Sequence, residues 1–487
     1  MKRNLASILL VFAAVISLYA DNNLRGRVIV DGNPRQGVVV SDGVNVVTTD
    51  SEGEYKMNTK GRQHVFVSLP EDCRLPLKGN QPAIYKLIDF SEGETATADF
   101  YLKTAPKATD WTLIAFADVQ IGFQKDYEDL RDYVMPAFID SLSQYKGNVY
   151  GISLGDIVWN NPDFYTNYTE QISRARIPFF SVIGNHDHNE KTKGDDLSTI
   201  EFRNELGPTY YSLNIGDCHI VVLDNIVYSG KEHRNDYYCG LTDQQLDWLK
   251  KDLKHVDKSK TLVIGMHAPA WRRYNKTKMV GADKLYKLVK DFNDVQILTG
   301  HMHDCSIVRV APNITDTNLG AVNGAFWYPI CDDGSPQGYG VLRFEGNKLV
   351  DKYYKGFREP REYQMNLYAP EEAVLWNPDA KPGDSYDKVA LNVWMWEDGW
   401  KIEVSEDGGE WATLDPDLDR APLPARDPGL VKHIATKKGT FKANHGGAKP
   451  IKRNDHLFLY KPNDGWKKID ARATDNFGNV YTSTLNR

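Results

Sequence analysis

Five short apolar runs in the middle of the chain each end in residues able to hold a metal ion or move a proton. They are Ala117-Asp118-Val119-Gln120, Gly155-Asp156, Gly184-Asn185-His186-Asp187, Gly265-Met266-His267 and Gly300-His301-Met302-His303. Carboxylates, imidazoles and carboxamides together make a mixed nitrogen and oxygen donor set. Such a set suits a borderline transition metal better than an all-oxygen calcium cage. Two cations held about 3.5 to 4 Å apart stabilise both the attacking and the leaving oxygen of an in-line displacement at phosphorus. They need one carboxylate able to bridge them. Each motif alone is common by chance; the ordered series is not.

A ligand at the end of an apolar run matters because strand termini of an α/β sheet hold side chains rigidly at the rim of a cleft. From Trp111 to Lys355, buried-strand text alternates with amphipathic helical text. The strand runs are Thr112–Phe116, Val149–Leu154, Phe179–Ile183, His219–Leu223, Leu262–Ile264 and Val295–Leu298. Glu128–Tyr145 and Thr242–His255 have helical periodicity, the second opening on the capping residue Thr242. This alternation predicts an α/β core.

The flanks read differently. From Leu24, apolar alternation broken by Asp31-Gly32-Asn33-Pro34, Ser41-Asp42-Gly43 and Thr49-Asp50-Ser51-Glu52-Gly53-Glu54-Tyr55 predicts a small β-sandwich. This stretch resembles the carboxypeptidase regulatory-like (transthyretin-like) module, in which Thr-Asp-x-x-Gly-x-Tyr closes a hairpin. A linker over Lys103 to Asp110 ends it. Beyond Lys355 helical text fades, and Trp394, Trp396, Trp400 and Trp411 stand among turn signals. That region looks like an immunoglobulin- or fibronectin-like sandwich, with a long proline-marked loop over Pro416 to Pro428. Residues 1–20 read as a signal peptide, Lys2 and Arg3 preceding the apolar stretch Leu5 to Leu18. The expected domains are therefore 21–104, 108–355 and 356–487.

Between Asp118 and His303 the sequence resembles the calcineurin-like metallophosphoesterases, whose pattern is Asp-x-His, Gly-Asp, Gly-Asn-His-Asp/Glu, a His, then Gly-His-x-His. The resemblance implies a central four-layer α/β/β/α sandwich. It also implies hydrolysis of a phosphate ester by a hydroxide bridging two divalent transition metal ions (Mn, Fe, Co or Zn). Asp118, Gln120, Asp156 and His303 would hold one ion; Asp156 would bridge to the second, which Asn185, His267 and His301 complete. His186 is expected to protonate the leaving oxygen or steady the phosphoryl group. Asp187 would orient the loop or that imidazole. Gln120 stands where the commoner motif has His, although some branches read Asp-x-Gln. A carboxamide oxygen is a harder, weaker, neutral ligand, so this position sets how tightly the first ion is held. Purple acid phosphatases place a metal-binding Tyr three residues after the bridging Asp; here Trp159 stands there, which disfavours a Tyr-bound ferric site.

Loops after the ligands supply substrate-facing candidates: Trp159-Asn160-Asn161, Trp271-Arg272-Arg273-Tyr274 and Phe326-Trp327-Tyr328. Arg272 or Arg273 could fork onto a phosphate, and Trp159 or Trp327 could stack a sugar or nucleobase. The aromatics could instead pack against the C-terminal sandwich. His188 either faces the cleft and touches substrate or is an exposed loop residue. His219 reads as structural, and His64, His233, His255, His433, His445 and His456 as surface residues.

The bulk properties bound the alternatives. A net charge of -7 without a basic tract argues against bulk attraction to nucleic acid or an anionic membrane. After the signal no stretch is apolar enough to span a bilayer. The five cysteines have no CxxC spacing, which excludes a zinc ribbon or a dense disulfide framework and leaves room for one bridge. Cys305, close after the histidine pair, reads as a buried structural thiol. The expected protein is secreted or periplasmic and acts on a small-molecule or polymer phosphate ester. Neither monoester versus diester nor the oligomeric state is decided by these motifs. The alternative from another class is a secreted glycan- or ligand-binding protein on a catalytically decayed scaffold.

Overall fold

The structure, a computed structural model, describes residues 23–59, 63–91, 93, 95–228, 236–273, 277–324, 327, 329–331, 333–370, 387–415 and 455–487. The signal segment, the Pro416–Pro428 loop, His233, His433, His445, Tyr274, Phe326 and Tyr328 lie outside these residues.

Near the N-terminus, Leu24–Val30 alternates buried and exposed side chains. It pairs antiparallel with Glu54–Met57 and parallel with Phe100–Leu102. Asp31 and Gly32 both take left-handed backbone (φ 50° and 85°), so the Asp-Gly turn pairs Val30 with Asn33 as a primed hairpin turn would. A second sheet runs in the order Val46–Thr48, Val39–Ser41, His64–Val67, Tyr85–Leu87.

The central region is built on two sheets. The first contains β1 (Asp110–Phe116), β2 (Asn148–Leu154) and β3 (Phe179–Val182), and the second contains β4 (Tyr211–Ile215), β5 (Cys218–Val222), β6 (Thr261–Gly265), β7 (Asp294–Thr299), β8 (Ser306–Ala311) and β9 (Ile314–Asn318). The later strands β10 (Gly338–Glu345) and β11 (Lys348–Gly356) return to the first sheet, giving the orders β3-β2-β1-β10-β11 and β4-β5-β6-β7-β9-β8. β1, β2 and β3 run parallel, as do β5, β6, β7 and β9. The carboxyl ends of each parallel set therefore share one edge.

Alternation decides what each face covers. Trp111, Leu113 and Ala115 of β1 join the apolar cluster that holds β5, β6 and β7. Ile114 and Phe116, pointing the other way, join the cluster containing Leu130, Phe138, Tyr165 and Ile172. The helix expected over Glu128–Tyr145 runs from Gln124 to Ser141 but widens into a π turn at Leu130–Val134. Pro136, just beyond, has no N–H to donate and its ring crowds the preceding turn, so the widened turn accommodates it. The helix after Thr242 forms over Asp243–Asp252, and the Thr242 hydroxyl accepts from Gln245 N at 3.2 Å.

At the C-terminal end, Met365–Tyr368, Val389–Val393 and Leu457–Tyr460 form one sheet, and Ala412–Leu414, Lys401–Glu406, Lys468–Thr474 and Val480–Asn486 another. They share a core containing Trp396, Ile402, Ile469 and Tyr481. Two histidines expected at the surface are buried instead. His64 packs edge-on against Tyr85, and His456 meets Asp333 at 3.1 Å. Both sit where a flanking sheet closes on a neighbour, a tertiary contact that no local spacing announces. His219 is buried between Asp252 and Asn214, and all five cysteines are free thiols.

Candidate active site

Five of the seven expected ligands lie two or three residues beyond a parallel strand, Asp118 after β1, Asp156 after β2, Asn185 after β3, His267 after β6 and His301 after β7, and Gln120 and His303 follow two positions later in the first and last of these loops. The two rims meet, and their donors converge. Asp156 Oδ1 lies 3.2 Å from His267 Nε2, while its Oδ2 accepts from Gln120 Nε2 at 3.0 Å and lies 3.9 Å from His186 Nε2. Asn185 Oδ1 is 3.0 Å and His301 Nδ1 3.2 Å from the same His267 Nε2. Asp118 Oδ1 faces His303 Nε2 at 3.3 Å, and its Oδ2 accepts from His301 N at 2.7 Å.

The donor chemistry fits a metal. His267 Nδ1 faces the Leu154 carbonyl at 2.8 Å, which can only accept, so in the neutral ring the proton sits there and Nε2 presents a lone pair. That lone pair converges with carboxylate, carboxamide and imidazole acceptors. Lone pairs so gathered repel unless a cation lies among them. Asp156, His267 and His301 are also grouped tightly enough to share one ion. The same carboxylate that would draw a cation also draws a proton to His267 Nε2, so the two compete for that position. Burial alone would raise the Asp156 carboxyl, but His267 and His186 outweigh it and hold it well below the usual carboxylate range. Burial opposes charge on His267, yet the Asp156 carboxylate beside it raises the imidazole to about 9. His301 is pushed well down by burial and by its neighbour His267.

Backbone strain is concentrated here. Asp118, Gln120, Asp156, Asn160, His301, His303 and Trp327 all take left-handed φ between 50° and 72°. Among the described residues only Asp31, Arg176 and Asp407 share that conformation without glycine. Non-glycine residues rarely adopt it, and at about 1–3 kcal/mol each it persists only where the surroundings enforce it.

His186 contributes no atom to this convergence beyond the 3.9 Å approach. Its Nδ1 meets Asn160 Oδ1 at 2.8 Å and therefore donates, leaving Nε2 unprotonated and directed toward Asp156. Burial lowers its pKa, which keeps the ring neutral. Trp159 stacks on the ring at 4.0 Å and 16°. Trp159 and Asn160 thus fix the imidazole from its face and its edge.

Asp187 does not touch that imidazole. Its carboxylate accepts from Ile157 N, Val158 N, Gly184 N and the Tyr165 hydroxyl, tying the loop after β2 to the loop after β3. Burial pushes it up to about 7, and the backbone donors pull the other way. Of the two roles expected of Asp187, orienting the loop or the imidazole, these hydrogen bonds are those of the first.

His188 is neither exposed nor in contact with the converging donors: it is buried, its Nδ1 paired with Ser198 Oγ at 2.7 Å and its ring stacked near Tyr228. Arg273 points to the C-terminal sheets, donating to Ile307 O at 2.6 Å, pairing with Asp398 and Asp455 and lying over Trp396. Its charge is committed there, which removes it from the phosphate-binding candidates. Arg272 stays electrostatically close to the centre, since its charge acts on His301 and Tyr237. Trp327 directs its indole N–H to Gln120 O at 3.4 Å, behind the ligand loop.

Two asparagines support the site without having been expected. Asn225 Oδ1 accepts from both His267 N and Ala268 N at 3.0 Å. The run His219–Leu223 ends in Asp224-Asn225, the same signal that marks the other ligand loops. Asn323 Nδ2 donates to Gln120 Oε1 at 2.7 Å, and nothing local in Ala321-Val322-Asn323-Gly324 marks it.

Residues 112–305 match the family described as calcineurin-like phosphoesterase, residues 22–105 its N-terminal counterpart and residues 316–481 its C-terminal counterpart. The chain belongs to the calcineurin-like phosphoesterases. Within this family it is 25% identical over 154 residues to purple acid phosphatase 15 of Arabidopsis thaliana, covering 29% of this chain and 27% of that protein. It is 29% identical over 165 residues to a probable glycerophosphodiester phosphodiesterase, GpdQ, of Arcobacter nitrofigilis, covering 32% of this chain and 56% of that one. The matched parts thus span less than two thirds of either relative. Among solved structures, a dimetal phosphatase from Danio rerio aligns with 15% identity over 52% of this chain and 98% of its own, with a TM-score of 0.39. The structure of PhoD aligns with 10% identity over 75% and 85%, with a TM-score of 0.35. As a member of the calcineurin-like phosphoesterases, the chain is expected to use divalent metal ions, and the donor set described above suits them.

Proposed function

We propose that this chain hydrolyses a phosphate ester at a dinuclear metal centre. The observation that carries the reading is the Asp156 carboxylate, one oxygen facing His267 and the other Gln120. A carboxylate so placed can join two donor groups: Asp118, Gln120 and His303 on one side, and Asn185, His267 and His301 on the other. Bound there, two divalent ions (Mn, Fe, Co or Zn) would lower the pKa of a water and stabilise both oxygens of an in-line displacement.

The chain's own residues do the rest. Loop backbones held in left-handed conformation keep the ligands at the rim before substrate arrives, so little reorganisation is left for the reaction. His186 Nε2 faces the centre with its Nδ1 proton held by Asn160. It can take a proton and, once protonated, donate to a phosphoryl oxygen or pass that proton to the leaving oxygen. Trp159 shields one face of this ring from water. Arg272 supplies positive charge near His301, where an anionic ester would approach.

The reading extends to the frame. The catalytic core is assigned the order helix, sheet, sheet, helix, supported by the shared apolar cluster between the two central sheets. Residues 21–104 and 356–487 are assigned as flanking sandwiches of a core over 108–355, and residues 1–20 as a signal directing the chain to the periplasm or exterior. Among the described residues no helix is long and apolar enough to cross a membrane.

Turnover of bis-p-nitrophenyl phosphate against p-nitrophenyl phosphate after Mn loading tests the reading and separates diester from monoester preference. Asp156→Asn and His186→Ala should abolish or sharply lower turnover with the fold preserved. Silence of the wild type on both esters, or unaltered activity in Asp156→Asn, would overturn it.

A further inference from the structure

Asn323 carries an inference that rests on the metal-centre reading above. The residue is 1% exposed and lies in the turn after β9. There Asn323 N donates to Asp118 O at 3.2 Å and Val322 N to Ala117 O at 2.7 Å, so this turn backs the loop bearing Asp118 and Gln120. The Asn323 side chain then starts a short relay: Nδ2 donates to Gln120 Oε1 at 2.7 Å, and Gln120 Nε2 donates to Asp156 Oδ2 at 3.0 Å. Asn323 Oδ1 is buried with no hydrogen-bond partner. A buried acceptor left unmade costs about 1–3 kcal/mol and calls for a reason.

The direction of the relay supplies one. Gln120 turns its NH2 toward Asp156, and an amide NH2 has no lone pair to offer a cation. To act as a ligand the Gln120 amide must reverse, bringing Oε1 round to face Asp156 Oδ2. Its Nε2 would then confront Asn323 Nδ2, donor against donor. The conflict disappears only if Asn323 reverses too, presenting the oxygen that now has no donor. Two oxygens facing each other across that gap repel unless a cation separates them. The reversed pair therefore belongs with a cation between Gln120 and Asp156.

We propose that Asn323 and Gln120 form a coupled carboxamide switch, with Asn323 as the positioning residue that selects the Gln120 orientation. Through that selection it sets the affinity and metal preference of the site formed by Asp118, Gln120, Asp156 and His303. An imidazole at position 120 would not need this partner, because its ligating nitrogen is not exchanged with a donor by reversal of an amide.

The test measures metal uptake rather than turnover. The full chain is stripped with EDTA, reloaded with Mn or Co, and followed by elemental analysis, isothermal titration and the Co(II) absorption spectrum. The variants are Asn323→Ala, Asn323→Asp, Gln120→His and the double variant Gln120→His/Asn323→Ala, with thermal unfolding of the stripped proteins as the folding control. Asn323→Ala should weaken one of two ions by about 10- to 100-fold, leave the other unchanged and alter the Co(II) spectrum. In the Gln120→His background the same change should shift affinity by less than about threefold, as a coupled pair requires. Asn323→Asp, which offers Gln120 only acceptors and so favours the ligating orientation, should tighten binding, and it replaces the alanine variant if that one fails to fold. Equal affinity in wild type and the Asn323 variants, or equal losses in both backgrounds, overturns the switch. A wild type that takes up no ion overturns the metal-centre reading instead.

Discussion

Asn225 and Asn160 show how much of this site depends on uncharged side chains. Asn225 is fully buried and gathers the amides of His267 and Ala268 on one oxygen, so it fixes the backbone that aims His267. Asn225→Ala should lower metal affinity about 10- to 100-fold, measured by titration of the stripped protein, with a stability loss of about 1–3 kcal/mol in denaturant unfolding. Asn160→Ala frees the His186 tautomer. It should lower kcat about tenfold while leaving metal content unchanged, a split that separates ring orientation from metal binding. The residues that present charge or imidazole were legible because their types are rare at the ends of apolar runs. Asn323 was not, since its role comes from a turn more than two hundred positions from Gln120 in sequence, which brings it against that residue. The surroundings of Arg273 and His188 were not legible for a related reason. Sequence placed them next to the ligands, but their partners, the C-terminal sheets and Ser198, come from tertiary packing.

At the scale of elements, the glycines of the ligand motifs are spacers between loops. A Cβ on Gly184 would run into Asp156 N and Oδ1, and one on Gly300 into Asp118 Oδ2. Gly184→Ala should therefore push the central carboxylate out of register. The expected result is a cost of about 1–3 kcal/mol by thermal unfolding, with loss of metal uptake; an alanine variant binding metal as the wild type does would remove this account. Strand runs were readable because parallel strands buried on both faces are nearly continuous in apolar residues. β8 to β11 were not expected, although they complete both sheets. Their text carries more polar residues: β9 reads Ile314-Thr315-Asp316-Thr317-Asn318, yet all five are buried. Asp316 Oδ2 accepts from Ala270 N and Trp271 N, and Asn318 Nδ2 donates to Asp304, loop partners that periodicity cannot reveal.

Across the whole molecule, the C-terminal sheets are attached by ionic contacts as well as by apolar packing. Lys352 of β11 meets Glu397 at 2.7 Å with both side chains about 5% exposed or less. Burial would raise the Glu397 carboxyl, but Lys352 outweighs it and holds the pKa below 4.5. A carboxyl depressed in the folded state binds fewer protons than in the unfolded chain. Its stabilisation is thus complete above about pH 4.5 and lost as pH falls through the folded value. Denaturant midpoints should drop over that acidic window in wild type and less so in the double variant Lys352→Met/Glu397→Leu. Lys352→Met alone should cost about 3–5 kcal/mol, because it leaves a buried carboxylate with the neutral Asn476 Nδ2 at 2.6 Å and the Arg309 charge only at 3.6 Å. The return of β10 to pair with β1 has a consequence for synthesis. Every ligand motif has been synthesised by His303, yet the open edge of β1 must wait for Gly338–Glu345 before it is covered. A nascent chain stalled in that interval holds its full set of donors on an unsealed sheet edge, and that is the stage most exposed to aggregation and to capture of the wrong metal.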